Sequence, residues 1–530
     1  MQIKKLFIAL GVILPLQTQG QNLLLEDAPA TIDSYVSEFN SEDNELYKQY
    51  IPNCDAADFL KENTPYFECP DKALEKTYYF RWWTYRKHIK KTPEGFVISE
   101  FLPDVPWAGK YNTISCAASH HFYEGRWLKD SSILSDYASF WFSGSGNPRL
   151  YSFGAADAIY NYFLIHNDKA LLSGLYPKLK NNFAKWEEEK RDSTGMFWQT
   201  DDRDGMEMSV SGRLSESARG YRPTINSYMY GEALALAKIA SILGKDIETQ
   251  DYQKKANELK EMVNSKLWDN EADFYKVIPL NGKMEFSYAR ELLGYAPWFY
   301  NIPSDKYSIA WKQLFDPKGF AAAYGPTTVE QRCPDFKLSY EGHECQWNGP
   351  SWPYLTSLVL TAMANYFNNY TPANITKKDY LDLLKTYSNS HRILSDKNDT
   401  ICWIDENLNP YTGDWISRTR LKSWKNGTWD ESKGGVERGK DYNHSSFCNL
   451  VISGLIGIRP QDDGSIIVNP LIPDGYWEYF CLDNVYCQGK KITVIFDKKG
   501  TKYGKGKGFR VYVNNQCLSH SAKIEKVAIR

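Results

Sequence analysis

Glu406 stands in the run Trp403-Ile-Asp-Glu-Asn-Leu-Asn-Pro-Tyr-Thr-Gly-Asp-Trp415. Asn409-Pro410 and Thr412-Gly413 are turn formers, so the segment reads as a loop holding one carboxylate against aromatic rings. An isolated loop glutamate is ordinarily a solvated surface group. One held between tryptophans is placed for general acid or base work on a hydroxyl-rich molecule. A second loop, Asp201-Asp-Arg-Asp204-Gly-Met-Glu207, follows Gly195-Met-Phe-Trp198 and gathers four carboxylates within seven residues. Four such groups cannot all be ionised and buried without protonation, pairing or a metal. One of them is therefore a candidate proton donor, raised in pKa by burial or by its neighbours. A solvated acidic loop and a calcium loop are the alternatives, although the spacing is not that of an EF-hand.

A third loop, Tyr340-Glu-Gly-His-Glu-Cys-Gln-Trp-Asn-Gly-Pro-Ser-Trp352, offers Trp347 and Trp352 as walls and Glu344, Gln346 and Asn348 as hydrogen-bonding groups. That mixture suits a pyranose ring better than a phosphate. The chain has no phosphate-binding loop, no dinucleotide fingerprint and no serine nucleophile elbow, and no cofactor is expected. Further binding candidates are His120, Glu124, Arg126 and Trp127 in His120-His-Phe-Tyr-Glu-Gly-Arg-Trp127, where pairing of Glu124 with Arg126 is the structural alternative. Arg222 after Tyr221, His343, and the tryptophans Trp403, Trp415 and Trp429 complete the set. For the tryptophans, core filling competes with a role as sugar platforms.

The elements between these loops are helical. Leu179, Phe183 and Trp186 recur at i, i+4 and i+7 within 172–189. Residues 224–244 begin at Thr224 or Asn226 and end at Gly244, and 251–268 bury Tyr252, Leu259, Val263 and Leu267. Helices are also predicted at 130–142, 152–166, 305–315, 351–368, 376–391 and 444–458. Short links alternate with long loops at 190–223, 316–350 and 400–443. Helical hairpins set in a ring would bring every second link to one mouth, where ligand pockets form; an ordinary bundle with unrelated loops is the alternative. Past Arg459-Pro460 the pattern turns to short alternating runs, Ile466–Val468, Ile492–Phe496, Phe509–Val513 and Ile524–Ile529, which predict a small β-sandwich.

The expected layout is a signal peptide at 1–20, a wrapping N-terminal segment at 21–95 whose first part is irregular, a helical domain at 96–459 and a β-sandwich at 460–530. Lys4-Lys5 before the apolar run Leu6–Leu16 has the form of a cleaved export signal. The run is too short to anchor in a bilayer, so the expectation is an exported, periplasmic protein with no integral membrane segment after cleavage. A net charge of -2 without basic runs gives no footprint for nucleic acid and favours neutral substrates. Aromatic residues make up 15% of the chain, which serves large cores and sugar stacking alike. The ten cysteines show no C-x-x-C pair, and no metal site is predicted; Cys54 with Cys69 and Cys481 with Cys487 are local disulfide candidates, against buried free thiols.

Three of these blocks resemble the (α/α)6 catalytic domain of family 63 glycoside hydrolases, in particular the mannosylglycerate-hydrolase-like branch. Glu406-Asn-Leu-Asn-Pro-Tyr-Thr-Gly413 is similar to that family's E-N-x-N-P-x-T-G, Asp204-Gly-Met-Glu207 to its S-G-x-D, and Gln346-Trp-Asn-Gly-Pro-Ser-Trp352 to its W-x-G-x-x-W. The resemblance covers roughly residues 70–460 and implies a mainly α fold, an (α/α)6 toroid followed by the small β-sandwich. It also implies inverting hydrolysis of an α-linked terminal sugar on an oligosaccharide or glycan, with Glu406 as general base and Glu207 as general acid. The chain departs from the family by carrying Glu at 207 where the family has Asp, which leaves Asp204 as a competing acid and a candidate substrate ligand. A polysaccharide lyase built on Tyr340, His343 and Arg222, and a glycan-binding protein without catalysis, stay open. A phosphorylase needs no carboxylate base, so Glu406 counts against it.

Overall fold

The computed structural model describes residues 24–340, 345–395, 399–418, 427 and 434–530. The predicted signal segment lies outside the described residues. Among those described, no helix is long and apolar enough to cross a membrane.

The N-terminal stretch expected to be irregular is instead largely helical. α1 (Ala28–Ser41) buries Ile32, Val36 and Phe39 at helical spacing, α2 (Ala56–Asn63) follows, and both pack on α3 (Lys72–Lys87). The chain then forms α4 (Ser115–Gly125), α5 (Ser132–Trp141), α6 (Ala155–His166), α7 (Lys169–Lys190), α8 (Pro223–Ile242) and α9 (Asp246–Lys266). The one-turn helices α10 (Ala296–Phe299) and α11 (Trp311–Leu314), and the longer α12 (Pro353–Asn369) and α13 (Lys377–Ser390), complete the set. The helix predicted at 305–315 is a 3-10 segment, Asp305–Ala310, running into α11. The helix predicted at 444–458 is a π-helical stretch, Leu450–Leu455.

These elements close into a double ring. α4 packs on α6, α6 on α8, α8 on α10, α10 on α12, and α12 on the 450–455 stretch. Glu124 in α4 shuts the ring by accepting the backbone N–H groups of Phe447, Cys448 and Asn449 at 2.8–3.2 Å. Each such bond to a charged acceptor contributes roughly 1.5–3 kcal/mol. The outer layer comprises α3, α5, α7, α9, α11 and α13. Burial separates the two layers except at α3, which α1 and α2 cover and which buries 13 of its 16 residues: α8 buries 16 of its 20 residues, whereas α9 buries only Ala256, Leu259 and Val263. An inner helix must therefore be apolar or small all round, and an outer one needs a single apolar stripe.

Helix starts are set locally. Pro223 and Pro353 occupy the first turns of α8 and α12, where a missing N–H costs nothing. Thr376 and Asp379 form a reciprocal capping box at α13. Beyond the toroid lie two antiparallel sheets. One, of three strands, pairs Ile458–Pro460, Ile466–Val468 and Val527–Ile529. The other has five strands, and its edge is N-terminal: Tyr66–Glu68 pairs with Tyr479–Cys487.

All ten cysteines are free thiols. Neither predicted local disulfide is formed. Cys481 and Cys487 lie six residues apart on one strand, a span of roughly 20 Å that no disulfide bridges.

Candidate active site

Loops preceding the inner helices meet at one cavity of about 290 Å³, whose lining includes Glu100, Glu207, Trp347, Trp352, Glu406, Arg438 and His444. The three segments singled out in the sequence thus reach the same space. Trp347 and Trp352 stack with ring centroids 4.1 Å apart and planes at 15°, and the Trp352 indole N–H donates to the Gln346 carbonyl at 2.8 Å. They form one rigid aromatic wall. Gln346 itself donates to the Ser339 carbonyl, and Asn348 to the Asp335 carbonyl.

The Glu406 loop is fastened at several points. Ser351 and Leu408 exchange backbone hydrogen bonds at 3.0 Å, tying it to the tryptophan loop. Asn409 turns the chain by accepting the Tyr411 and Thr412 N–H groups on its side chain. Gly413 sits at φ 79°, and a Cβ there would meet the Tyr324 ring at 2.7 Å. Glu406 is 1% exposed and pairs with the Arg438 guanidinium at 3.3 Å. The Cys345 thiol faces its other oxygen at 3.9 Å. Arg438 is itself held over the Trp107 ring, 4.9 Å from its centroid.

Glu207 follows a tight turn. Gly205 adopts φ 72°, and a Cβ there would strike the Cys116 sulfur at 2.3 Å; glycine lets the chain reverse against α4. The four carboxylates of this loop have separate fates. Asp201 accepts from Ser209 at 3.2 Å, and Asp202 lies beside Arg203 on the surface side. Asp204 pairs with the Arg222 Nε at 2.7 Å, both side chains fully buried, and accepts from the Thr224 hydroxyl. Only Glu207 lines the cavity, partly open to it but enclosed by protein on its other sides. Burial pushes its carboxyl up to about 7, and the charges of Asp201 and Glu406 add to that against its own backbone N–H. Among the described residues, no group of three His, Cys, Asp or Glu side chains could hold a metal ion.

Several predicted ligands stand elsewhere. Asp204 and Arg222 pair with each other through the Asp204 Oδ2 rather than lining the cavity. His120 lies under Tyr354, ring centroids 4.6 Å apart. Glu124 closes the ring as described, so it does not pair with Arg126. Arg126 and Trp127 both donate to the Asn449 side chain at 3.0 Å. Trp403 is buried on the far side of its loop, with Arg418 and Lys440 over its ring. Trp415 donates to the Arg392 carbonyl. Asn348 is buried behind the aromatic wall. Glu344, His343 and Trp429 lie outside the described residues.

The cavity also holds groups that the sequence did not single out. Glu100, just after the strand Gly95–Ile98, accepts from the Tyr442 hydroxyl. Burial pushes its carboxyl up to about 8, against that hydrogen bond and with Glu406 and Glu207 adding to the rise. His444 is 3% exposed, packed against Tyr442 at 4.0 Å between ring centroids. Burial drives its imidazole well below the usual histidine range. No local motif marks either residue.

Carboxyls at a cavity flanked by stacked tryptophans, carried on a helical double ring, are the fold and site arrangement of the toroid class of glycoside hydrolase families. Residues 110–445 match the mannosylglycerate hydrolase MGH1-like glycoside hydrolase domain, and residues 458–519 the C-terminal domain of glycosyl hydrolase family 65. The chain belongs to the MGH1-like glycoside hydrolase family. The solved structure of a protein named "Sialidase" is 36% identical, superposing with a TM-score of 0.85 over 95% of this chain and 44% of that one. This chain thus spans less than half of that protein's length. The family 78 rhamnosidase of Bacillus sp. GL1 shares the fold at 12% identity and a TM-score of 0.53, over 82% of this chain and 40% of that one.

Proposed function

We propose that this glycoside hydrolase removes a terminal, α-linked sugar with inversion, Glu207 serving as general acid and Glu406 as general base, in an exported, periplasmic protein. The observation that carries the assignment is the contrast between two carboxyls on one cavity. Glu207 keeps its proton to about pH 7, as an acid must, and Glu406 shares a salt bridge with Arg438, as suits a base. In the reaction, Glu406 takes a proton from a water whose oxygen bonds to the anomeric carbon. The glycosidic C–O bond breaks as Glu207 gives its proton to the leaving oxygen. Inversion requires the two carboxyls to stand about 6.5–9.5 Å apart, leaving room for that water. A cavity of about 290 Å³ suits one sugar ring at a chain end, which supports exo action.

The lyase reading loses its cation, because Arg222 is buried against Asp204. Screening the purified chain on α- and β-linked aryl glycosides and oligosaccharides, with NMR of the first-formed anomer, tests the proposal. Release of the opposite anomer is expected. Retention, or Glu406→Gln turning over at the wild-type rate, would overturn it. Recovery of the unprocessed chain in the cytoplasm of its producing cells would overturn export.

A further inference from the structure

The cavity contains polar atoms that the protein leaves unmatched. Glu100 uses one carboxyl oxygen for Tyr442, while the other is buried with no partner among the described residues, as are both ring nitrogens of His444. A buried polar atom without a partner is costly, and cores ordinarily avoid it. Such a cost is recovered when a ligand supplies the missing bonds. Glu100 and His444 lie on the cavity lining with the two carboxyls assigned to catalysis, so a bound ring there would meet them directly.

The chemistry of the unmatched atoms specifies the ligand. A protonated carboxyl donates one hydrogen bond, and a neutral imidazole donates at one nitrogen and accepts at the other. Together they complement hydroxyl groups, which donate and accept alike. The charges around them argue against an acidic ring. Arg438, the cation among the described lining residues, is already held by Glu406 in a salt bridge. A carboxylate on the sugar would be buried beside Glu406 with no further counter-ion among the described lining residues, which is unfavourable.

We propose that Glu100 and His444 are specificity-determining residues that bind hydroxyls of the terminal sugar and confine the cavity to uncharged pyranoses, excluding uronic and sialic acids. The inference rests on the glycosidase reading of the same cavity and adds the substrate class.

Equilibrium titration of the purified chain with glucose, galactose, mannose, fucose, rhamnose, glucuronic acid and N-acetylneuraminic acid requires no turnover. At least one neutral sugar should bind, and both acids should bind at least tenfold more weakly. Glu100→Gln, which keeps a donor and an acceptor, should stay within about threefold of wild type, by the equivalence of the groups it offers. Glu100→Ala should weaken the preferred sugar tenfold or more, and should abolish discrimination against the deoxy form lacking the hydroxyl that Glu100 binds. His444→Gln gives a second reading should Glu100→Ala fail to fold. Acidic sugars binding as tightly as neutral ones, or undiminished affinity in both Glu100→Ala and His444→Gln, would overturn the inference. Those outcomes leave hydrolysis of glycosides to be scored separately: cleavage with unselective binding defeats this inference alone, whereas selective binding with no cleavage of any glycoside defeats the catalytic proposal.

Discussion

Of the cavities among the described residues, two lie along the inner helices, and the larger is not the one that holds the assigned carboxyls. One, of about 290 Å³, is lined by residues at or before the N-terminal ends of inner helices: Ile114 and Cys116 at α4, Tyr151 before α6, Glu207 before α8, and Trp352 before α12. The other, of about 720 Å³, is lined mostly by later turns of the same helices, among them Arg126 after α4, Asn161 of α6, Lys238 of α8 and Asn365 of α12, together with Asp157 in the first turn of α6 and Arg459 and Lys526 beyond the ring. The inner helices therefore run largely in a common direction, and the lining chemistry differs along it. Glutamates outnumber cations at the smaller cavity, where Glu100, Glu207 and Glu406 face Arg438, whereas the larger mixes Arg126, Lys238, Arg459 and Lys526 with Asp157, Asp462 and Asp463.

The second difference is satisfaction. At the larger cavity Asp157 accepts from Tyr123 at 2.8 Å and from Asn161, Arg126 donates to Asn161 and Asn449, and Arg459 donates to the Ser453 carbonyl and Asn365. Its charged groups mostly answer one another. At the smaller cavity an oxygen of Glu100 and both nitrogens of His444 are unmatched, while at the larger the Arg126 Nε is. The smaller cavity thus leaves more polar atoms for a ligand to match, although it is the less spacious.

The comparison is tested most severely by removing the catalytic carboxyls. Glu207→Gln and Glu406→Gln should each lower kcat by about 10²–10⁴, but with different dependence on the leaving group. A dinitrophenyl glycoside leaves without protonation, so Glu207→Gln should lose far less on it than on an alkyl glycoside, while Glu406→Gln should lose equally on both. Equal losses for Glu207→Gln on both substrates would remove it as the acid.

Next in size is the support beneath the smaller cavity. Arg222→Met leaves Asp204 buried without its ion-pair partner, and breaking such a pair costs roughly 3–5 kcal/mol. A fall of that order in unfolding free energy by denaturant titration is expected, with loss of activity as the Glu207 loop shifts. An unchanged denaturation midpoint would show that the pair does not hold the loop.

A smaller and graded effect is expected with pH. Because Glu207 must be protonated to act, kcat/KM should fall about tenfold per unit above pH 7, the slope of a single ionisation. The sign for stability follows from the same shift. The folded state keeps a proton to about pH 7 that a free carboxyl loses near 4.5, so its stabilising effect is complete below 4.5 and is lost as pH rises to 7. Glu207→Gln should thus gain stability relative to wild type between pH 5 and 7. A difference that does not vary with pH would refute the shift.

What the sequence disclosed follows from how local each signal is. The Glu406 loop is readable because Asn409-Pro410 and Thr412-Gly413 fix its turns within a few residues. Trp347 and Trp352, five apart across a tight Gly-Pro turn, form their wall within one loop. α1 was equally readable, since Ile32, Val36 and Phe39 have helical spacing, but its polar surroundings hid them. Glu100, Arg438 and His444 carry no such mark, because ring closure alone brings residues some 340 positions apart to one cavity, as the Tyr442 to Glu100 hydrogen bond shows at a separation of 342. Glu124, Arg126 and Trp403 misled for the complementary reason. Charged and aromatic residues in a polar run serve a closing helix or a loop's buried back as readily as a sugar. The strand Tyr66–Glu68 was unreadable because its partner lies near residue 482.

The smallest expected effect bears on the larger cavity, where the comparison is most easily broken. Asn161 donates to the Asp157 carboxyl and accepts from Arg126, so Asn161→Ala removes one hydrogen bond from each of two charged groups. Asp157 is pushed up to about 6, chiefly by burial, with Tyr123 and Lys238 among the groups holding it down, and it would lose one further restraint. If those charges serve only each other, the variant should lose about 1–3 kcal/mol of stability while kcat and KM on any glycoside stay within twofold. Thermal unfolding and steady-state kinetics on the same preparation measure both quantities. A selective rise in KM at unchanged stability would mean that the glycan extends through the bore to this end. The distinction drawn between a cavity that binds and a cavity that merely remains would then fail.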